Sequence, residues 1–426
     1  MNILLCGASG FIGARIASAL QARGHTVLRG VRDPAAHQAR HPGLQFVKVD
    51  FQHDREAALW LPRLKNVDVV INAVGILREQ GGQTFEALHI RGPLALFDAC
   101  IMAGARRVIQ ISALGADARA DTPYHLSKRA ADDGLLARPL SGVVVQPSLV
   151  FGPSGASTRL LSTLAVMPCT PLPGDGEQRV QPVHLDDLAE AVVRLTEEHG
   201  HVGERIAAVG GQALSLRSYL AALRQALGLG EPRFVKIPKA FVRLAARLGG
   251  RWPGALLDTD SWRMLERGNT GDSSTMARLL ARPPRTPDHF MSEADAATVL
   301  TMARLTWLLP VLRISLALVW LTAGIVSMGL YPIHDSLAML ARVGVGPARA
   351  PSMLYGAAVM DLILGVATLA WPRRRLWLAQ AALVLSYTAL ITAFLPEQWL
   401  HPFGPVVKNL PFLAVLWLLY AFEERP

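Results

Sequence analysis

The chain has 426 residues, of which 51% are hydrophobic and 18% charged, with a net charge of +10 and a mean hydropathy of +0.28. This balance excludes a disordered or collagen-like chain, exceeds what a purely soluble protein carries, and suits two or three domains. The basic excess is nearly all Arg, with six Lys and no Lys/Arg run interleaved with aromatics, so it points to membrane flanks and not to nucleic acid.

Short apolar runs at 2–6, 26–31, 45–49, 67–73, 107–112 and 143–149 alternate with amphipathic stretches at 11–23, 84–104 and 124–137. That alternation predicts an α/β fold with a doubly wound parallel sheet. The continuous β-branched run Val67-Asp68-Val69-Val70-Ile71 suits a strand covered on both faces. Residues 150–290 are less regular, with helices expected at 185–198, 215–228 and 239–249, and form a small helical substrate lobe. The Pro-rich stretch 281–290 reads as a linker. The expected division is a nucleotide-binding domain over 1–290, a linker over 291–303 and a membrane domain over 304–426. The three Cys (Cys6, Cys100 and Cys169) are odd in number and lack metal spacing, as in a reducing compartment. The N-terminus runs directly into a glycine motif and reads as a first strand, not a signal peptide.

The last 126 residues hold only 14 charged side chains. Residues 314–334 and 376–396 contain none, 351–371 is interrupted only by Asp361, and 409–422 is a shorter apolar run of 14. A spanning helix needs about 20 apolar residues. Four spans would put both chain ends on one side. Arg373-Arg374-Arg375, between the second and third, marks that side as cytoplasmic. Arg313 and Asp361 lie within spans, where ionisable groups face the bundle or a polar path. Asp361 is read either as a partner for Arg313 or Lys408 or as a site residue. His199-Gly200-His201 lacks a third ligand nearby, so no metal is expected.

Gly7-Ala8-Ser9-Gly10-Phe11-Ile12-Gly13 has the form GxxGxxG between a strand and a helix. Its glycines permit a tight turn and close backbone approach, and the helix start at Phe11 and Ile12 offers free N–H groups to a pyrophosphate. Arg29 and Arg32, at the end of the second strand, suit a 2′-phosphate. NADP(H) is therefore favoured, while Asp33 keeps NAD(H) open. Asp50, ending the third strand, suits either the adenine amino group or a helix cap. Asn72-Ala73-Val74-Gly75 ends the fourth strand, at the sheet edge where ligands sit in open α/β folds. Ser112 closes the fifth strand. Tyr124 and Lys128 are i, i+4 on the next helix and share a face. A nearby ammonium and a positive nicotinamide would lower the Tyr124 pKa, letting it give a proton to a carbonyl that Ser112 also holds.

These pieces, with Pro147-Ser148-Leu149-Val150-Phe151-Gly152-Pro153, resemble the extended or atypical short-chain dehydrogenases/reductases, whose fold is a Rossmann-type sheet. More narrowly, residues 1–290 are similar to the family of the complex I accessory subunit 9. Many of that family carry an altered triad, whereas this chain keeps all three residues. The resemblance implies that Tyr124, Lys128, Pro147 and Val150 also line the cofactor. The run Gln181-Pro182-Val183-His184-Leu185-Asp186-Asp187-Leu188-Ala189 is similar too, with Asp186 expected as an N-cap and His184 as a packed strand residue.

Residues 300–426 resemble the DoxX-like membrane domain, an all-α four-helix transmembrane bundle that bacteria fuse behind such reductases. The resemblance is carried by His334-Asp335-Ser336-Leu337, Asp361-Leu362-Ile363-Leu364-Gly365 and the run from Pro402 through Phe403 to Pro411. Together these imply a multi-pass protein of the bacterial inner membrane with its N-terminal domain in the cytoplasm. They also imply hydride transfer to a carbonyl or a quinone-like, lipophilic substrate. Two alternatives stand: a non-catalytic NADPH-binding module that docks a respiratory membrane complex, and a sugar-nucleotide epimerase or dehydratase.

Overall fold

The computed structural model describes residues 1–249, 258–402 and 404–423; Phe403 of the DoxX-like run lies outside them. The six short apolar segments and a seventh strand pair into one parallel sheet: β1 (Asn2–Cys6), β2 (Thr26–Val31), β3 (Gln45–Lys48), β4 (Val69–Asn72), β5 (Arg107–Ile111), β6 (Gly142–Pro147) and β7 (Arg205–Ala208). Their spatial order is 7-6-5-4-1-2-3. Leu4 of β1 stands between Leu28 and Val70, so β1 and β4 are neighbours and the winding reverses between them. In open α/β sheets the crevice at that reversal holds the ligand. Strands β4 and β5 are buried at every position, which is why they read as continuous apolar runs.

Helices cover both faces. On one, Ile16, Ala17 and Leu20 of α1 (Phe11–Ala22) meet Leu188, Val192 and Leu195 of a helix at Leu185–Glu197. On the other, Trp60 packs with Leu96, Phe97 and Cys100 of α2 (Gly92–Ala103) and Leu135 of α3 (Pro123–Leu136). The lobe gathers Leu161, Leu172, Tyr219 and Leu223 around Phe151. Cys6 and Cys100 are buried and Cys169 is exposed, all three unbridged.

Several sequence expectations change. The strand β7 went unread because it is short and opens on an exposed Arg205. The predicted helix over 84–104 begins as a π-helical turn at Glu86–Arg91 before Gly92 starts α2. Residues 281–290 are no linker: Arg282 and Arg285 pair with the buried Asp187, and Phe290 is buried and stacked on Phe151 at 4.8 Å. Residues 291–303 are not one either, because a helix runs unbroken over Glu293–Ile325. Asp186 is not the N-cap. His184 fills that place, its Nδ1 accepting from the Asp186 N–H, while Asp186 pairs with Arg15.

The chain divides into two compact units, Met1–Ala303 and Arg304–Pro426. Among the described residues, Glu293–Leu330, Ala350–Ala370 and Arg374–Phe394 are long and apolar enough to cross a membrane. A fourth apolar helix, Asn409–Phe422, has 14 residues, fewer than the roughly 20 a straight crossing takes. Arg313 pairs with Glu423 at 2.9 Å, and Trp377 Nε1 donates to the same carboxylate, so Arg313 is not the partner of Asp361. A separate buried chain runs from Trp320 Nε1 to Gln380 Oε1 and from Gln380 Nε2 to Thr368.

Candidate functional site

The glycine turn is built by contacts that leave no room for side chains. Gly7 ends β1 at φ +79°, and a Cβ there would lie 2.9 Å from the Ala73 carbonyl carbon. A Cβ on Gly13 would lie 2.2 Å from Gly7 O. The Gly10 N–H closes the turn onto Gly7 O at 3.0 Å. Gly10 then caps α1 in extended conformation with no side chain on the helix end. The N–H groups of Phe11, Ile12 and Gly13 are thus left for a ligand beside the exposed Ser9 and Gly10. A cradle that glycine alone can line, facing three free donors, fits a dinucleotide pyrophosphate. The Phe11 ring fills the space beside Gly152 and Gly155, where a Cβ would lie 2.9 Å and 3.0 Å from it.

The other cofactor candidates divide. Arg29 is a correction: it is buried in β2, and its Nη2 donates to Gln21 Oε1 on α1 at 2.6 Å, so it faces the helix and not a ribose. Arg32, just past β2, is exposed. Asp33 caps the next helix by accepting from the Ala36 N–H at 3.0 Å. The Asp50 carboxylate caps its own turn, accepting from the Gln52 N–H at 3.1 Å and meeting His53 Nδ1 at 2.9 Å. Asn72 is fully buried, donating to Gln110 and accepting from the Val74 N–H. It shapes the 72–75 turn and presents no side chain to a ligand. Ala73 abuts Gly7, and Gly75 lies against Lys128, where a Cβ would sit 2.9 Å from Nζ. Pro147 ends β6 and its carbonyl accepts from the Leu114 N–H. Val150 pairs with Val183 in a short parallel bridge.

Thr122 caps α3 and Pro123 sits in its first turn, which fixes the helix that carries Tyr124 and Lys128. Lys128 is buried, and its Nζ donates to Ile111 O at 3.1 Å and Val74 O at 3.2 Å. It therefore joins the ends of β4 and β5. Ser112, the next residue after β5, donates its hydroxyl to Asp132 Oδ2 at 2.5 Å. Gln146 Nε2 reaches the same oxygen at 3.3 Å. Burial lowers the Lys128 pKa and raises that of Asp132, so each holds its charge less firmly than in water.

Tyr124 is half-buried among Phe85, His89 and His125, with ring centroids 6.2, 5.8 and 5.4 Å away. Burial, with the nearby Asp132 carboxylate, pushes its phenol up to about 12. The expected lowering by Lys128 is not seen: burial and Asp132 are what act on the phenol. His89, unread in the sequence, sits in the π-helical turn and is buried. Its Nε2 accepts from the Ile76 N–H at 3.0 Å. Ser127 Oγ donates to the Tyr124 carbonyl, so it accepts from His89 Nδ1 at 2.9 Å. Burial and Lys128 lower the His89 pKa to about 2. Asp132 was legible as a second i, i+4 step after Tyr124 and Lys128; His89 carried no local signal. Beside this cluster a cleft of about 620 Å³ is walled by Phe85, Pro123, Leu126, Ser127 and the Arg78–Asp258 ion pair. Among the described residues no group of three His, Cys, Asp or Glu could hold a metal.

A glycine-cradled crevice at the sheet's reversal point, with Ser, Tyr and Lys beside it, defines a Rossmann-type domain suited to a nucleotide cofactor. Residues 3–210 match the NAD dependent epimerase/dehydratase family, and residues 317–417 match the DoxX-like family. The chain thus joins an epimerase/dehydratase-type domain to a DoxX-like domain.

Among curated proteins it is 29% identical over 242 residues to the mitochondrial NADH dehydrogenase (ubiquinone) 1 alpha subcomplex subunit 9 of Arabidopsis thaliana, covering 54% of this chain and 59% of that protein. It is 26% identical over 264 residues to a ceramide reductase of Caulobacter vibrioides, covering 61% and 80%. Among solved structures, a nucleoside-diphosphate-sugar epimerase of Staphylococcus aureus aligns with a TM-score of 0.55 at 19% identity, covering 68% of this chain and 99% of that one. The UDP-glucuronic acid 4-epimerase of Bacillus cereus, in complex with NAD, aligns at 0.51 and 19% identity over 71% and 98%. These structures share the fold.

Proposed function

We propose that the chain is a membrane-held NAD(P)H-dependent oxidoreductase of the short-chain dehydrogenase/reductase type, acting on a carbonyl or quinone-like, lipophilic substrate. The observation that carries this reading is Lys128 bonded at the ends of β4 and β5, with Ser112 directly after β5 and Tyr124 one turn before Lys128 on the same helix, next to the glycine turn. The backbone of 10–13 would hold the pyrophosphate, and Arg32 favours a 2′-phosphate, hence NADP(H). When bound, the nicotinamide supplies or accepts the hydride. Tyr124 donates the proton to the substrate oxygen. Lys128 holds the 74–75 turn against β5. Ser112 orients the same oxygen once its hydroxyl turns from Asp132. The ceramide reductase relative and the apolar helices support a lipophilic substrate met at a bilayer, with the soluble unit on the cytoplasmic side of a bacterial inner membrane.

The test is cofactor oxidation by the full chain in lipid, with quinones and lipid carbonyls as acceptors. Tyr124→Phe is expected to lower turnover by roughly 10²- to 10⁴-fold, the usual worth of a positioned acid, with nucleotide binding kept. Full turnover in that variant would remove the acid role. A second reading, a cofactor-holding module docked on a respiratory complex, draws on the complex I relatives and on the Ser112 proton being committed to Asp132. It predicts retained nucleotide, no turnover with any acceptor, and co-purification with a membrane complex.

A further inference from the structure

The helix Lys239–Gly249 is held to its domain by one narrow edge. Val242 and Ala246 are buried against Trp262, with Ile237 and Leu265 beside them. Phe241, Leu244 and Leu248 follow the i, i+3, i+7 spacing of a second stripe, and they are 65%, 52% and 50% exposed. Val235, on the adjoining strand Phe234–Ile237, is exposed as well. An apolar stripe of this size left in water marks a surface that something covers.

Charge identifies the cover. Residues 232–249 contain Arg233, Lys236, Lys239, Arg243 and Arg247 and no Asp or Glu. Among the described residues Arg243 pairs with Glu266 at 3.0 Å and the Asp175 carboxylate stands near Lys236 and Lys239, so the segment keeps an excess of positive charge. A basic helix with an exposed Phe/Leu stripe has the make-up of one that lies in a lipid interface. A second copy would bring the same positive face and be repelled. The chain also carries helices long and apolar enough to span a bilayer, so a lipid surface is tethered to this domain at high effective concentration.

We infer that the helix Lys239–Gly249 docks on the surface of an anionic bilayer, its Phe241, Leu244 and Leu248 side chains in the interface and its Lys and Arg at the headgroups. This contact is separate from the spans and independent of any reaction at Tyr124. Each apolar side chain moved out of water favours the docked state roughly tenfold or more, and each basic residue near an anionic surface roughly fivefold.

The test uses the full chain carrying Cys169→Ser and Leu244→Cys, spin-labelled at the new thiol, in nanodiscs of neutral or of part-anionic lipid. Leu244 is half exposed, so the labelled chain should keep the parent's melting midpoint. The expected result in anionic discs is a label reached by oxygen and shielded from a water-soluble nickel chelate. Lys236→Glu with Lys239→Glu, or neutral discs, should return it to water. A label equally open to nickel in both lipids overturns the inference. So does shielding from oxygen and nickel alike, which means protein covers the stripe. Spin–spin broadening that disappears on mixing with unlabelled chain also overturns it, because the cover is then a second copy.

Discussion

Replacing Gly13 by Ala tests the cradle most directly. The added Cβ would meet Gly7 O at 2.2 Å, the Gly7 carbonyl carbon at 2.9 Å and Ala8 Cα at 3.2 Å. Ordinary C···O contacts begin at about 3.3 Å, so α1 must retreat from the turn by roughly 1 Å. All three contacts are backbone, so no side chain can rotate away. Overpacking of this kind costs about 1–3 kcal/mol. The retreat also withdraws the N–H groups of Phe11, Ile12 and residue 13 from the anion they would bind. If that cost falls wholly on the bound state, nucleotide affinity drops roughly 5- to 150-fold at 1.4 kcal/mol per factor of ten. Titration of nucleotide fluorescence in the full chain measures this. Gly43→Ala, with nothing within 4 Å of its Cβ, serves as the matched control. A Gly13→Ala chain that binds nucleotide as tightly as the parent would refute the steric reasoning.

Arg32→Ala should weaken NADPH binding and leave NADH unchanged, whereas Arg29→Ala should lower stability without changing nucleotide preference, because Arg29 is engaged with Gln21; parallel titrations with both nucleotides separate the two. His89 gives a pH signature. Its pKa is about 2 in the fold against 6.5 for the ordinary group, so the unfolded chain takes up a proton below pH 6.5 that the folded one refuses. The stability contributed by His89 is present above 6.5 and falls by about 1.4 kcal/mol per pH unit below it. The melting gap between the parent and His89→Gln should therefore narrow as pH drops from 6.5 to 5, and a gap that widens would contradict the neutral imidazole.

What could be read from the sequence was what is local. The alternation of apolar strands and amphipathic helices is written in short windows, and β1, β2 and α1 fall within a residue of their expected ends. The glycine turn was legible because Gly7, Gly10 and Gly13 act on one another. Facing was harder. Arg29 sits inside β2, two residues short of its end, and strand alternation turns it under α1. Residues 281–290 look like a linker by composition, yet Arg282 and Arg285 find the buried Asp187 nearly a hundred positions earlier. The Tyr124 pKa depends on burial and on Asp132, two turns further along its helix and held by Ser112 and Gln146 from separate strands' ends. His89 owes its place to a π turn that helical periodicity does not announce.

The burial of His89 beside Tyr124 has a consequence for proton supply. Around Tyr124 stand two imidazoles, and burial holds both below their ordinary range. At neutral pH neither carries a proton it can lend. A phenol that gives up its hydrogen here would be recharged from outside the aromatic box.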